Sequence, residues 1–282
     1  MRMQAIEPPI SIDTDVCVRC GLCAKDCPLG VIVVDKKTGS VGPHKKRADR
    51  CFNCGHCMAI CPTGAIRLSC FEGQQAERVK RTALADFDAV KTVMSFRRSV
   101  RSFKDEALPQ EELQKLLDVT AYAPSGHNER KVRWAIAATP EAVQRVGQFC
   151  ADWMQTKVDE KHPLVQKLHL RGVVRSWRAG HDLICRNAAA LSFAYAPVEG
   201  ATPREDAVIA TSYLELAASA AGLGACWAGY VNECVNDCAE LRDYLGIPEG
   251  FEVHGTLMLG YPDVKYSAVP PRELNEIQWI EK

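Results

Sequence analysis

The chain has 282 residues, and its 35 lysines and arginines are balanced by 35 aspartates and glutamates. That balance leaves no global field to draw nucleic acid or a membrane surface as a partner. The length admits two domains, each with its own core, and the composition is that of an ordinary globular protein.

Met1 to Ile10 carries Arg2, Glu7 and two prolines where a secretory leader would carry an apolar run, so a reducing cytoplasm is the expected location. Eight of the 14 cysteines then stand in two copies of one spacing: Cys17, Cys20, Cys23 and Cys27 before Pro28, and Cys51, Cys54, Cys57 and Cys61 before Pro62. This is the bacterial ferredoxin run for two 4Fe-4S clusters, in which the fourth cysteine of each run ligates the other cluster. One ligand set is then Cys17, Cys20, Cys23 and Cys61, and the second is Cys51, Cys54, Cys57 and Cys27. Zinc would take its ligands as two separated pairs, and disulfides do not suit a reducing compartment. The first domain, residues 1–75, is therefore expected to move single electrons.

The two runs lie in an internal repeat. Cys17 and Cys51, Pro28 and Pro62, Gly30 and Gly64, and Ile32 and Ile66 all stand 34 residues apart. Each half offers a cluster loop, a short helix and a strand, as in a two-fold ferredoxin-like fold. Between the halves lies the basic stretch His44 to Arg50, either a solvated face or a docking site for an acidic electron-transfer partner.

Residues 76–89 read as a polar linker, with a first helix beginning near Asp86, and residues 90–282 as a second domain. Helical spacing predicts helices over Pro109 to Tyr122 and Glu141 to Val158; strands are predicted at Val132 to Ala138 and Ala188 to Ala196. Ala207 to Gly229 contains one charge, Glu215, but Pro203-Arg204-Glu205-Asp206 is a helix start and Gly222 suits a helix end, so a buried helix is expected there in place of a membrane span. Strands at Ala225 to Val231 and Phe251 to Leu259 enclose a predicted helix at Asn232 to Leu245, on which Cys234 and Cys238 share a face. Without regular alternation of helices and strands, the fold class is α+β, a sheet flanked by helices. Cys70, Cys150, Cys185, Cys226, Cys234 and Cys238 have no cluster spacing and read as small buried apolar residues.

Arg97, Arg98, Ser99 and Arg101 place three guanidiniums and a hydroxyl within five residues, a set suited to phosphate unless it is a solvated helix end. Tyr122 to Asn128 forms a tight Pro/Gly turn in which backbone donors can approach a flat ligand. Gly222 to Gly229 closes the long helix, and Pro270-Pro271-Arg272 brings another guanidinium. With RRSVRSF, APSGHN, AAGLGACWAGY, LMLGYP and PPRELNEI in this order, residues 90–282 resemble the nitroreductase family of FMN enzymes. The resemblance implies a homodimer with FMN at the subunit interface. Arg97, Arg98, Ser99, Arg101 and Arg272 would hold its phosphate and ribityl chain. Pro124, Ser125, Gly126 and Asn128 would line the ring, and Ala228 and Gly229 would offer backbone near its redox edge. Glu129-Arg130-Lys131 stands where the family usually has Ser-Gln-Pro, so the ring contact of that Gln is not carried over.

The resemblance names no catalytic acid or base, because the flavin does the chemistry. His181 is either a ring contact or a structural residue capped by Asp182. Trp153, Met154 and Trp177, in the variable segment Ala151 to Gly180, belong either to a substrate pocket or to ordinary core. Gly222-x-Gly224 lacks the third glycine of a Rossmann site, which weakens NAD(P)H as donor without removing it, and a ferredoxin or other redox protein is the alternative. The expected function is passage of electrons from the 4Fe-4S clusters to FMN and on to a small organic acceptor, such as a nitroaromatic or quinone. The competing readings are a dimeric electron carrier or redox sensor that serves a protein partner, and a reductive dehalogenase or enone reductase on the same scaffold.

Overall fold

A computed structural model describes residues 9–71, 73–273 and 275–281. The chain divides into two compact units, Met1–Leu84 with His127–Glu129, and Ala85–Gly126 with Arg130–Lys282. The boundary at Leu84 falls inside the stretch read as a linker.

In the first unit β1 (Ile10–Ile12), α1 (Leu22–Asp26), β2 (Ile32–Val34), β3 (Val41–Pro43), α2 (His56–Ile60) and β4 (Ile66–Leu68) follow one another. Helices α1 and α2, and strands β2 and β4, begin 34 residues apart (22 to 56 and 32 to 66), so the sequence repeat is also a structural one. Strand β1 pairs with β4 and β2 with β3, both antiparallel. Ribbons this short bury little, and the centre is filled by Ile10, Ile32, Ile66 and Leu68.

The second unit opens with α3 (Phe87–Phe96), whose cap is Asp86, accepting from the Ala89 N–H at 2.8 Å. Next come α4 (Gln110–Thr120), β5 (Arg133–Ala137) and α5 (Pro140–Asp159), the last begun by a Thr139 cap and a proline in its first turn. The order continues through α6 (Leu164–Lys167), α7 (Leu170–Arg178), β6 (Ala190–Pro197), α8 (Pro203–Ala220), β7 (Gly224–Trp227), α9 (Gly229–Asp237), α10 (Ala239–Tyr244) and β8 (Phe251–Gly260). The sheet runs β5-β6-β8-β7, antiparallel throughout. Side chains alternate across it: Leu191, Phe193 and Met258 pack with residues of α5, α7 and α9, whereas Ala190, Leu257 and Leu259 pack with residues of α4 and α8. The result is an α+β unit whose sheet is flanked by helices on both faces.

Several expectations change. The strand predicted to reach Val231 ends at Trp227, because Gly229 already heads α9. The helix predicted over Asn232 to Leu245 is broken at Cys238, which is extended (φ −119°, ψ 107°) and starts α10, so Cys234 and Cys238 do not share a helix face. Cys70 is exposed and Cys238 half-buried; Cys150, Cys185, Cys226 and Cys234 are buried as expected. Trp153 and Met154 lie in the core, and Trp177 packs against it while donating from Nε1 to Gln148. Asp182 accepts from the backbone N–H groups of Ile184, Cys185 and Asn187, so it caps that turn and not His181.

Helix α8 lies close on β8 at Gly255, where an added Cβ would stand 2.8 Å from Thr211 Cβ. Gly255→Ala is expected to cost roughly 1–3 kcal/mol through overpacking. Chemical denaturation measures it, and an unmoved midpoint would mean that α8 can retreat without loss.

Candidate functional site

The two cysteine loops of the first unit are built alike. Arg19 and Asn53 both adopt positive φ (56° and 52°), and Gly21 and Gly55 come next at 72° and 76°. Left-handed steps at matching places curl each loop back on itself. One cavity is lined by Cys27, Cys51, Cys54 and Cys57, and another by Cys17, Cys20, Cys23 and Cys61. Each cavity thus takes three thiols from one run and the fourth from the other. Among the described residues no three His, Cys, Asp or Glu side chains converge on a position for a single metal ion. Four thiols set around a cavity suit a four-iron cubane, which wants one sulfur at each iron.

Burial pushes the Cys57 thiol up to about 12, with like charge at Cys51 and Cys54 adding to it. Burial raises Cys23 and Cys51 as well. Burial also opposes ionisation of Cys61, but hydrogen bonds from the Ala65 N–H (3.3 Å) and Thr63 outweigh it and leave this thiol lowered.

In the second unit three of the sequence motifs meet. Ser99 forms a parallel bridge with Ala225, and the Val100 N–H donates to the Ala225 carbonyl at 2.9 Å. Gly224 permits this approach, since a Cβ there would stand 2.8 Å from Val100 Cγ1. Further on, the Lys104 N–H donates to Tyr261 O and the Asp263 N–H to Ser102 O. RRSVRSF is thereby laid along the ends of β7 and β8, beside Cys226 to Gly229.

The arginines of that segment have separate tasks. Arg97 Nη1 lies 3.0 Å from Glu215 Oε1, and Glu215 Oε2 accepts from Trp227 Nε1 at 3.2 Å. Arg98 turns back, donating from Nη2 to Ser95 O and from Nε to Arg97 O, and caps α3. Arg101 is exposed, with Nη1 3.4 Å from Ser99 O. The Ala228 N–H is committed to Thr256 O at 2.9 Å, whereas Gly229 heads α9 with open space where its side chain would stand. Arg272 is exposed in the segment after β8, donating to Pro271 O.

Pro124 and Ser125 border a cavity of about 510 Å³ floored by Trp134 and Ile136, with Arg130 and Asp206 at its wall. Ser125 Oγ accepts from the Arg130 N–H, and the Gly126 N–H donates to buried Asp206 at 3.0 Å. Asn128 belongs with the first unit, where Nδ2 donates to the carbonyls of Phe52 (3.0 Å) and Asn53 (3.3 Å). A second cavity of about 630 Å³ is bordered by Phe103, Asp182 and Trp177, the last of which was expected either in a substrate pocket or in the core, and is lined by none of the expected FMN-binding residues.

Residues 94–261 match the model of the nitroreductase family. The chain belongs to the nitroreductase family. Residues 16–65 match the 4Fe-4S dicluster domain, so a two-cluster domain precedes the nitroreductase domain. A protein of Archaeoglobus fulgidus, named as a candidate NADH dehydrogenase/NAD(P)H nitroreductase, is 27% identical over 167 residues, 59% of this chain and 81% of the relative. An iodotyrosine deiodinase of Thermotoga neapolitana is 26% identical over 183 residues, 63% of this chain and 91% of its own. A nitroreductase of Bacteroides fragilis solved with bound FMN shares the fold at a TM-score of 0.56 and 23% identity, over 67% of this chain and 98% of that one.

Within the nitroreductase domain, Glu215 and Asp206 hold the candidate site's segments in place, a role their sequence pattern did not reveal. Glu215 is the one charge between Ala207 and Gly229, and a carboxylate in so apolar a run needs a partner, which is a signal the sequence does carry. Glu215→Ala would leave the Arg97 guanidinium and the Trp227 N–H without their acceptor. A loss of roughly 1–3 kcal/mol is expected. Glu215→Gln keeps an oxygen for Trp227 and is expected to lose less. Thermal unfolding of both variants decides it, and two wild-type transitions would show that the pair contributes nothing.

Proposed function

We propose that this nitroreductase-family protein is an FMN-dependent oxidoreductase that delivers electrons from its 4Fe-4S domain to a small organic acceptor. The observation that carries the reading is the seating of Arg97 to Arg101 beside Trp227 to Gly229, in a chain whose other unit lines two cavities with four thiols each. Arg97 and Arg101, with Ser99 and Arg272, would anchor the FMN phosphate, since a guanidinium pairs with phosphate through two parallel hydrogen bonds. Arg98 contributes by fixing the end of α3. Pro124, Ser125 and Gly126 would border the ring, with Ala228 and Gly229 at its redox edge. FMN, when bound, supplies the exchange between one-electron and two-electron chemistry. The clusters would be held by Cys17, Cys20, Cys23 and Cys61 and by Cys51, Cys54, Cys57 and Cys27.

The reading includes a cytoplasmic homodimer, a ferredoxin or NAD(P)H as electron donor, and a nitroaromatic or quinone as acceptor. Likeness to an iodotyrosine deiodinase supports a second reading of the acceptor side, reductive dehalogenation. Both readings are tested together. The anaerobic protein, loaded with iron, sulfide and FMN, is mixed with NADH, NADPH or reduced ferredoxin while flavin absorbance is followed, and is then offered a nitroaromatic, a quinone or an iodinated phenol. Turnover of one acceptor class is expected. Flavin reduction without turnover of any small acceptor, but with onward reduction of a redox protein, would make the chain a carrier.

The crossed ligation has its own test. Cys27→Ala is expected to damage the cluster beside Cys51, Cys54 and Cys57 and to spare the other. Electron paramagnetic resonance of the reduced protein distinguishes them, and loss confined to the Cys17 cluster would refute the assignment.

A further inference from the structure

The basic stretch of the first unit is larger in space than in sequence. Lys36 and Lys37 stand on the turn between β2 and β3, and Lys45, Lys46, Arg47 and Arg50 come after β3. Arg19, in the first cysteine loop, reaches Thr38 O with Nη1 at 3.5 Å and joins the same side of the β2–β3 hairpin. All seven side chains are exposed, and none takes part in an ion pair among the described residues. The acidic residues nearest to these in sequence are Asp13 and Asp15, before the first cysteine loop, and Asp35 and Asp49. Asp35 is occupied by its own turn, accepting from the N–H groups of Lys37 and Thr38 at 2.8 Å each, and only then faces Lys45.

This cationic surface borders both cysteine cavities. Arg50 directly precedes Cys51, and Arg47 Nη1 would lie 3.5 Å from a Cβ at Gly30, three residues beyond Cys27. Arg19 lies between Cys17 and the exposed Cys20. Exposed valines stand among the charges: Val16, Val18, Val33 and Val34, the last 3.4 Å from where a Cβ of Gly21 would be. Aspartates flank these valines as well (Asp13 and Asp15 before Val16, Asp35 after Val34), but the seven lysines and arginines outnumber them, and apolar side chains rimmed by mainly basic charge suit a protein-docking face. No Phe, Tyr or Trp is interleaved in His44 to Arg50, where stacking on nucleic-acid bases would favour one.

We infer that this surface is the docking site of an acidic redox protein, whose reduced centre passes one electron to a cluster at the cysteine loops and is itself oxidised. The inference rests on the electron-transfer reading above and names its donor as a protein. Like charge repels a wrong partner and opposite charge speeds encounter, so the surface acts mainly on association rate.

The test uses the full chain with its cofactors. Lys36→Glu/Lys45→Glu/Lys46→Glu reverses exposed charges while keeping Arg47 against Gly30 and Arg50 beside Cys51. Lys80→Glu/Arg81→Glu reverses charge elsewhere in the first unit. Reduction by a chemically reduced, acidic iron-sulfur ferredoxin is followed by stopped flow at low and high salt, with cluster and flavin bleaching read separately. Photoreduced 5-deazariboflavin, which is uncharged, serves as the second reductant. The triple variant is expected to be slowed at least about tenfold at low salt and to lose its salt dependence. The double variant, and every rate with deazariboflavin, should match the wild type. Equal ferredoxin rates in wild type and triple variant would overturn the inference, and so would equal slowing in the double variant. Failure of ferredoxin to reduce a wild-type protein that deazariboflavin reduces would overturn it too, as would salt-sensitive capture of the protein by anionic phospholipid vesicles. Slowed cluster bleaching in the triple variant upholds the docking site even where the flavin stays oxidised; an oxidised flavin beside reduced clusters counts against the electron path instead.

Discussion

The second unit is organised around a carboxylate that cannot stand alone. Helix α8 is otherwise apolar where it meets the sheet, and a charge placed there is costly unless it is paired. Glu215 is paired twice, to Arg97 and to the Trp227 indole. Those partners lie on different segments, one entering the sheet edge and one leaving β7. A single side chain therefore ties together the two stretches that a phosphate-bearing, flat cofactor would need at once. Asp206, near the start of the same helix, does the corresponding work for the Pro124 to Gly126 turn by accepting the Gly126 N–H and the Thr202 hydroxyl.

Backbone proximity completes the arrangement, and glycine permits it. At Gly224 and Gly260 an added Cβ would meet Val100 and Phe103 within 3 Å, so the segment from Ser99 to Phe103 can lie against β7 and β8 only if neither position carries a side chain. Charge and sterics act on the same segment from two sides: the carboxylate draws Arg97 in, and the missing side chains leave room for Ser99 to Phe103. Arg98 shows how local geometry can redirect a residue of identical chemistry. One position further along, its guanidinium meets the orphan carbonyls at the end of α3 and satisfies them.

How much was legible in the sequence depends on the range of each interaction. Cysteine spacing, the helix start near Asp86, the proline opening α8, and the sheet strands at 133–137, 190–197 and 251–260 are all encoded within a few residues. The end of β7 was not, because Cys226-Trp227-Ala228 is an apolar run that serves equally as strand or as approach to a helix. The break at Cys238 was hidden for the same reason: helical periodicity persists through Asn232 to Leu245 although one residue is extended. Nor could pattern alone find the link from Glu215 to Arg97, which spans 118 residues. Such a contact exists only once α8 has been laid across the sheet.

The fourteen cysteines show that placement decides what a thiol becomes. Cys150 and Cys185 sit in the core of the second unit, where burial raises both thiols well above the ordinary range and keeps them protonated and apolar. Burial acts on Cys57 in the same direction. The difference lies in the company. Cys150 meets Cys234 within the core of the second unit, whereas Cys57 lies on α2, just after the left-handed steps of Asn53 and Gly55, among four thiols that line one cavity. Close packing spends the first set on stability. In the second set Cys23, Cys57 and Cys61 belong to the small core of the first unit, and left-handed steps at Arg19, Gly21, Asn53 and Gly55 precede the helices that carry the first two, so the fold that buries these thiols also gathers them in fours.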